Sequence, residues 1–158
     1  MIKVLLFDLS RTLLFPKDIN YKGELNKLHK ELSTSANYNF LDHFYLDEEI
    51  LIYLSDFKNK CNLCIFTSGS IQNAPEIRSR LDEVFERIYS AEEIGFGKKD
   101  MESYKFITED LKVEPREILF VDDSVDNVDT AKSAGLNAIT YTSFIKLKED
   151  LEAVLPSN

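Results

Sequence analysis

Positive charge is scarce in this chain, and that scarcity excludes one large class of partner. Nineteen Lys and Arg stand against 28 Asp and Glu in 158 residues, for a formal net charge of −9. Binding a nucleic-acid backbone takes clustered cations that displace counterions, so no nucleic-acid partner is expected. One or two well-placed cations still suffice for a small phosphorylated ligand. Cysteine is nearly absent as well: Cys61 and Cys64 are the only two. They sit in KNKCNLCIF, an apolar run that reads as a strand and sends the two side chains to opposite faces. His29 and His43 are the only histidines, so nothing completes a zinc site, and structural thiols in a reducing compartment are the expectation. Long apolar runs are missing too. None approaches the roughly 18 residues of a membrane span. The short apolar stretch 4–7 meets Asp8 before any small-residue cleavage site, which does not read as a signal peptide. No membrane partner is expected, and a cytoplasmic setting is.

What is present is ordinary for a soluble globular protein, 44% hydrophobic and 30% charged residues. At this length a single domain over 1–158 buries about 70% of its unfolded surface. The apolar runs IKVLLF (2–7), NLCIF (62–66), ILFV (118–121) and NAITY (137–141), with the weaker ERIYS (86–90), are short and bounded by polar residues, as buried parallel strands are. Helical spacing fills the gaps at 47–58, 101–111, 125–134 and 145–154, and Gly135 is a natural C′ residue for the third of these. This rhythm predicts an α/β fold, a three-layer Rossmann-like parallel sheet with helices on both faces. Region 13–46 interrupts it. It holds one helical pattern, Tyr21–Leu32 with Leu25, Leu28 and Leu32 inward, and then the polar, aromatic STSANYNFLDHFY. This is too little for a second core and reads as a short insertion after the first strand.

Three strand ends carry suspicious groups: Asp8, the run Thr67–Ser68–Gly69–Ser70, and the pair Asp122–Asp123. Parallel strands bring these ends to one edge of the sheet, where ligands of open α/β folds gather. A lone strand-end Asp is readily explained as the N-cap of the next helix, but a cap needs only one residue and here there are two. Carboxylates crowded on adjacent strand tips repel unless a cation sits between them. Oxygen ligands of this kind suit Mg²⁺ with a phosphate.

With these residues in view, the chain resembles the haloacid dehalogenase (HAD) superfamily, most of whose members are Mg²⁺-dependent phosphatases. FDLSRT resembles the first motif, FTSGS the second, and GFGKKD through VDDSVDN the third and fourth, in the usual order and spacing. As a set the motifs are specific. The resemblance implies that Asp8 attacks phosphorus and forms an aspartyl-phosphate that water then hydrolyses. It implies Mg²⁺ held by Asp8, the backbone carbonyl of Ser10 and Asp122/Asp123, with Asp123 the favoured acid of the pair. Lys98 would neutralise the nucleophile and phosphoryl oxygens, and the Thr67 hydroxyl and Ser68 amide would bind another oxygen. The substrate side is then a small phosphorylated molecule or a phosphoprotein. Region 13–46 would be the family's flap plus a reduced helical cap, leaving a relatively open site. Its aromatics Tyr21, Tyr38, Phe40, Phe44 and Tyr45 either pack the insertion onto the sheet or form a contact surface.

The pattern breaks at one place. The family phosphatases carry a second Asp two residues after the nucleophile, which protonates the leaving oxygen; here that residue is Ser10. Losing a general acid–base costs about 10²–10⁴ in rate. Arg11 stands where a Gly is usual, and its charge either reaches a substrate phosphate or faces solvent. Three readings follow. One is a phosphatase for substrates with good leaving groups, anomeric, acyl or aryl. The second is a catalytically degenerate module that binds metal, phosphate or a protein. The third is a dehalogenase, disfavoured because the Asp122–Asp123 pair suits a metal that dehalogenases do not use.

Overall fold

The computed structural model of the protein describes residues 1–155. Five parallel strands form the central sheet: β1 (Val4–Phe7), β4 (Asn62–Thr67), β5 (Arg87–Ser90), β6 (Ile118–Asp122) and β7 (Asn137–Thr140). Their spatial order is β5-β4-β1-β6-β7, so β1 is central and the chain winds outward in both directions from it. Side-chain alternation sorts the core into two layers. Leu5, Phe7, Leu63, Ile65, Leu119 and Val121 face one way, against helices α2 (Glu48–Ser55), α3 (Pro75–Val84) and α7 (Phe144–Val154). Val4, Leu6, Cys64, Phe66 and Phe120 face the other, against α5 (Met101–Leu111) and α6 (Val125–Ser133). The short α4 (Ala91–Ile94) follows β5. The three-layer α/β fold read from the sequence is the one observed.

The two cysteines fall into opposite layers, both free and buried. Burial pushes the Cys61 thiol up to about 11 and the Cys64 thiol up to about 12, so neither is a nucleophile at neutral pH. No described helix is long and apolar enough to cross a membrane.

Region 13–46 forms an antiparallel pair, β2 (Leu14–Pro16) with β3 (Phe44–Leu46), and one helix, α1 (Leu25–Leu32). The helical pattern begins at Tyr21, yet the helix begins at Leu25. The guanidinium of Arg11 holds the carbonyls of Tyr21 and Gly23 out of helical geometry, at 3.1 and 2.7 Å, and the Tyr21 hydroxyl donates to the Glu24 carbonyl. Leu25 is buried, whereas Leu28 and Leu32 are half-buried. Of the aromatics, Phe40 and Phe44 are fully buried and Tyr21 and Tyr38 pack against the core; Tyr45 is exposed and stacks on Phe15. Packing therefore accounts for four of the five. The helix expected at 47–58 spans only Glu48–Ser55, because Asp47 caps it by accepting from the Ile50 amide and the chain turns after Ser55. Helix α3 escaped the pattern reading, although Pro75 at its first turn and Ile77, Leu81 and Val84 on its buried face mark it.

Candidate active site

Strand register builds the site. Phe7 lies level with Ile65 on one side and Val121 on the other, so the next residues along these strands emerge together at the carboxyl edge. The Asp8 amide still donates to the Val121 carbonyl at 2.8 Å, which fixes the turn that carries its carboxylate. Asp8 and Asp122 are 5% and 0% exposed, and one carboxylate oxygen from each of Asp8, Asp122 and Asp123 lies within 4.8 Å of the others. Lys98 reaches into this cluster from the loop before α5. Its Nζ donates to Asp8 Oδ1 and, at 3.1 Å, to Asp122 Oδ2.

The capping alternative for the acidic pair is excluded by Ser124. It is Ser124 whose hydroxyl accepts from the Asn127 amide and caps α6, so neither acid is the cap. Asp122 is fully engaged: Oδ1 accepts from the Ser124 amide at 2.8 Å, and Oδ2 from Lys98 and from Asn127 Nδ2 at 3.1 Å. Asp123 is exposed. Geometry therefore makes Asp122 the acid that positions Lys98 and leaves Asp123 the more available of the two for a cation.

Burial disfavours charge here, and the partners divide the effect. Desolvation pushes the Asp8 carboxyl up to about 8, Lys98 pulling against it and the Asp122 charge adding to it. Asp123 is exposed as a residue, yet partial desolvation of its carboxyl and the neighbouring Asp122 charge also raise it. Burial works against a charged Lys98, but Asp8 and Asp122 more than offset it and hold the ammonium above its ordinary range. Beneath it, Phe66, Tyr104 and Phe120 form an aromatic floor; Nζ lies 5.5 and 5.9 Å from the Phe66 and Phe120 ring centres. Tyr104 is wholly buried and its hydroxyl donates to the Lys98 carbonyl at 2.6 Å. Nothing in the motif spacing pointed to Tyr104, whose signal was only that of an apolar helix position.

Two hydroxyls remain. Thr67 Oγ1 and Ser10 Oγ are buried and have no hydrogen-bond partner among the described residues. An unmade hydrogen bond at a buried hydroxyl is costly, which marks both as groups awaiting a ligand. Thr12 Oγ1 sits 3.5 Å from Asp8 Oδ2. Arg11 adopts a left-handed backbone, φ +62°, the conformation a Gly accepts freely. Its guanidinium lines the cleft, and one of its nitrogens, Nη2, donates to the two carbonyls of the 21–23 loop.

Asp8, Ser10, Arg11, Lys98, Asp122 and Asp123 line a cleft of about 520 Å³ that also takes in Ser68, the neighbour of Thr67, and Asn26. A larger depression of about 850 Å³, lined by Lys3, Lys105, Glu109, Pro115 and Ser133, shares no residue with it. That depression offers no buried charge, whereas the smaller cleft holds Asp8, Lys98 and Asp122. The donor set of the cleft fits a hard divalent cation. Three carboxyl groups crowd one ammonium, and oxygen ligands of this kind suit Mg²⁺.

Comparison with known proteins bears on the same residues. The family model for haloacid dehalogenase-like hydrolases matches residues 26–135, a span that holds Thr67, Lys98, Asp122 and Asp123 while Asp8 and Ser10 precede it. Drimenol cyclase DrtB of Aspergillus calidoustus is 23% identical over 119 residues, 71% of this chain and 22% of that protein. Enolase-phosphatase E1 of Thioalkalivibrio sulfidiphilus is 33% identical over 107 residues, 64% of this chain and 46% of that protein. The chain thus spans less than half the length of either curated relative. A HAD family enzyme of Bacteroides thetaiotaomicron, solved in complex with magnesium and inorganic phosphate, superposes with a TM-score of 0.65 at 20% identity, covering 93% of this chain and 99% of that one.

Proposed function

Because this chain belongs to the haloacid dehalogenase-like hydrolases, we propose that it is a Mg²⁺-dependent phosphomonoester hydrolase acting through an aspartyl-phosphate on Asp8. The observation that carries the reading is the buried constellation itself. A carboxyl nucleophile, a buried ammonium bonded to it and the unpartnered Ser10 hydroxyl converge in one cleft with a second and third carboxyl group. The magnesium and phosphate bound by the Bacteroides enzyme support the same chemistry here.

Asp8, Asp123 and the Ser10 backbone carbonyl would hold the metal, with Asp122 beside them. Bound there, Mg²⁺ supplies positive charge to the phosphoryl oxygens. Everything else falls to the chain. Asp8 Oδ attacks phosphorus while Lys98 offsets the charge on nucleophile and phosphoryl group together. Asp122, bonded by Ser124 and Asn127, holds the ammonium in place, and Tyr104 fixes the backbone that bears it. Thr67 Oγ1 and the Ser68 amide donate to a phosphoryl oxygen. Ser10 Oγ donates a hydrogen bond toward the leaving oxygen but transfers no proton at neutral pH, so the leaving group departs largely unaided and water attacks the aspartyl-phosphate slowly.

Rapid mixing with p-nitrophenyl phosphate and Mg²⁺ tests this. The expected trace is a nitrophenol burst abolished by Asp8→Asn, then slow turnover that Ser10→Asp accelerates. A folded, Mg²⁺-binding sample with no Asp8-dependent product refutes it and favours the binding-module reading, for which the Ser10 substitution is the specific support.

A further inference from the structure

The loop after β4 is held at both ends of a single peptide, the one between Gly69 and Ser70. The Gly69 carbonyl accepts from Ser90 Oγ at 2.7 Å and from Gln72 Nε2 at 2.8 Å. The Ser70 amide donates to Asn26 Oδ1 at 3.0 Å, and the Ile71 amide donates to the same oxygen at 2.9 Å. Ser90 ends β5 and Gln72 lies in the turn before α3, so both belong to the buried framework. Asn26 is different. It is the second residue of α1, in the insertion, and meets the Ser70 amide across 44 positions of chain. Two donors aimed at one atom also fix its side-chain orientation, since a flip would set donor against donor.

Successive amides that converge on one oxygen are the arrangement by which a turn of backbone binds an anion. Here an oxygen of the chain itself fills it. The Ser68 amide, by contrast, bonds no group among the described residues, and Ser68 lines the cleft. Asn26 thus occupies the amides at 70 and 71 and leaves the one at 68 for a ligand. The start of α1 is tied on its other side as well, where Arg11 Nη2 donates to the carbonyls of Tyr21 and Gly23. The insertion therefore braces the segment that carries Asp8 and Ser10 against the loop that carries Thr67 and Ser68. Gly69 shows how close the seat is. A Cβ there would lie 2.5 Å from Asn26 Oδ1, 2.7 Å from its Cγ and 3.2 Å from its Nδ2, and these are its three nearest atoms. The Gly69 backbone is not left-handed, so glycine is needed at 69 for room and not for its φ.

We infer that Asn26 is a positioning residue for the phosphoryl-binding loop: its Oδ1 holds the Ser70 and Ile71 amides so that the Ser68 amide is set for a phosphoryl oxygen. This deepens the phosphohydrolase reading and rests on its placement of the phosphate. Asn26 touches no reacting atom and acts only through the loop. The insertion then contributes to the reaction by fixing donors already on the sheet edge, whatever the group attached to the phosphate.

The test follows amide resonances of the ¹⁵N-labelled chain with Mg²⁺ and inorganic phosphate, beside the p-nitrophenyl phosphate burst. Saturating phosphate should shift the Ser68 amide of the wild type. Asn26→Ala should lose most of that shift and slow the burst about 10- to 100-fold, the scale of a group displaced by about 1 Å. Asn26→Asp presents a carboxylate oxygen to the same two amides and should keep the shift. Gly69→Ala should reproduce the Asn26→Ala loss, because its methyl expels the Asn26 oxygen. Added to Asn26→Ala it should cost less than about twofold more, since the atoms it would meet are gone. An Asp variant that loses the Ser68 shift as fully as the Ala variant overturns the inference and leaves the hydrolase reading intact. So do single losses that multiply in the double variant, or a wild-type Ser68 amide that ignores phosphate while the burst is present. A wild type with the Ser68 shift but no Asp8-dependent burst overturns the hydrolase reading instead, and the shifts then decide the role of Asn26. Neither shift nor burst overturns both.

Discussion

Replacing Lys98 with Met tests the charge balance of the site. The thioether fills similar volume and removes the one ammonium between the carboxylates, which sit with oxygens within 4.8 Å of one another. At an effective dielectric of about 20, two unit charges at the 4.8 Å limit repel by about 3.5 kcal/mol. Breaking a buried ion pair by deleting one partner costs about 3–5 kcal/mol, in agreement. With the Asp8 carboxyl raised to about 8, the comparison belongs at pH 9, where it is ionised beside Lys98; proton uptake by Asp8 in the variant relieves part of the loss, so the low end of the range applies. At roughly 2–4 °C per kcal/mol for a chain of this size, Lys98→Met should melt about 6–12 °C below the wild type in EDTA. Mg²⁺ should bind the variant more tightly, having one more negative charge to neutralise, and saturating Mg²⁺ should return much of the lost stability. Thermal melts of both proteins with EDTA and with Mg²⁺ decide it. A deficit below about 1 kcal/mol, or one that Mg²⁺ leaves unchanged, would refute the reasoning.

Two further outcomes follow from the insertion. Arg11 combines a left-handed backbone with two guanidinium bonds, so Arg11→Ala loses the bonds and keeps the strain, whereas Arg11→Gly loses the bonds and relieves it. Urea unfolding should find the Gly variant about 1 kcal/mol more stable than the Ala variant; equal stabilities would show that φ +62° costs nothing here. Burial lowers the pKa of His29, whose Nδ1 meets the Tyr38 hydroxyl at 2.8 Å, against a smaller opposing pull from Glu76. A depressed folded-state pKa stabilises the fold above the unfolded value near 6.5, and that contribution is lost as pH falls through the folded value. The melting temperature should therefore drop faster from pH 7.5 to 5.5 in the wild type than in His29→Gln, and parallel pH profiles would count against it.

The parts of this fold that were legible in the sequence are those set by local pattern. Short apolar runs ending in Asp8, Thr67 and Asp122 located the strands and the edge at which they open, because strands buried on both faces must be continuously apolar. The parts that were not legible depend on contacts between distant segments. Helix α1 starts four residues later than its spacing suggests because Arg11, far earlier in the chain, competes for the carbonyls of Tyr21 and Gly23. Asn26 reads as one more polar helix residue until Ser70 and Ile71, more than forty positions on, come to its oxygen. Within the acidic pair, the family resemblance favoured Asp123 for a metal, but the hold of Asp122 on Lys98 was hidden, since it depends on a lysine 24 positions earlier.

Trapping the intermediate addresses the central claim most directly. Wild type and Asp8→Asn would be mixed with p-nitrophenyl phosphate and Mg²⁺, quenched in acid within the burst, and weighed intact by mass spectrometry. With Ser10 unable to activate water, a phosphoryl adduct should accumulate on the wild type, map to the Asp8 peptide and be absent from the variant. A wild type that releases phosphate without such an adduct, or carries one at another residue, would contradict the account.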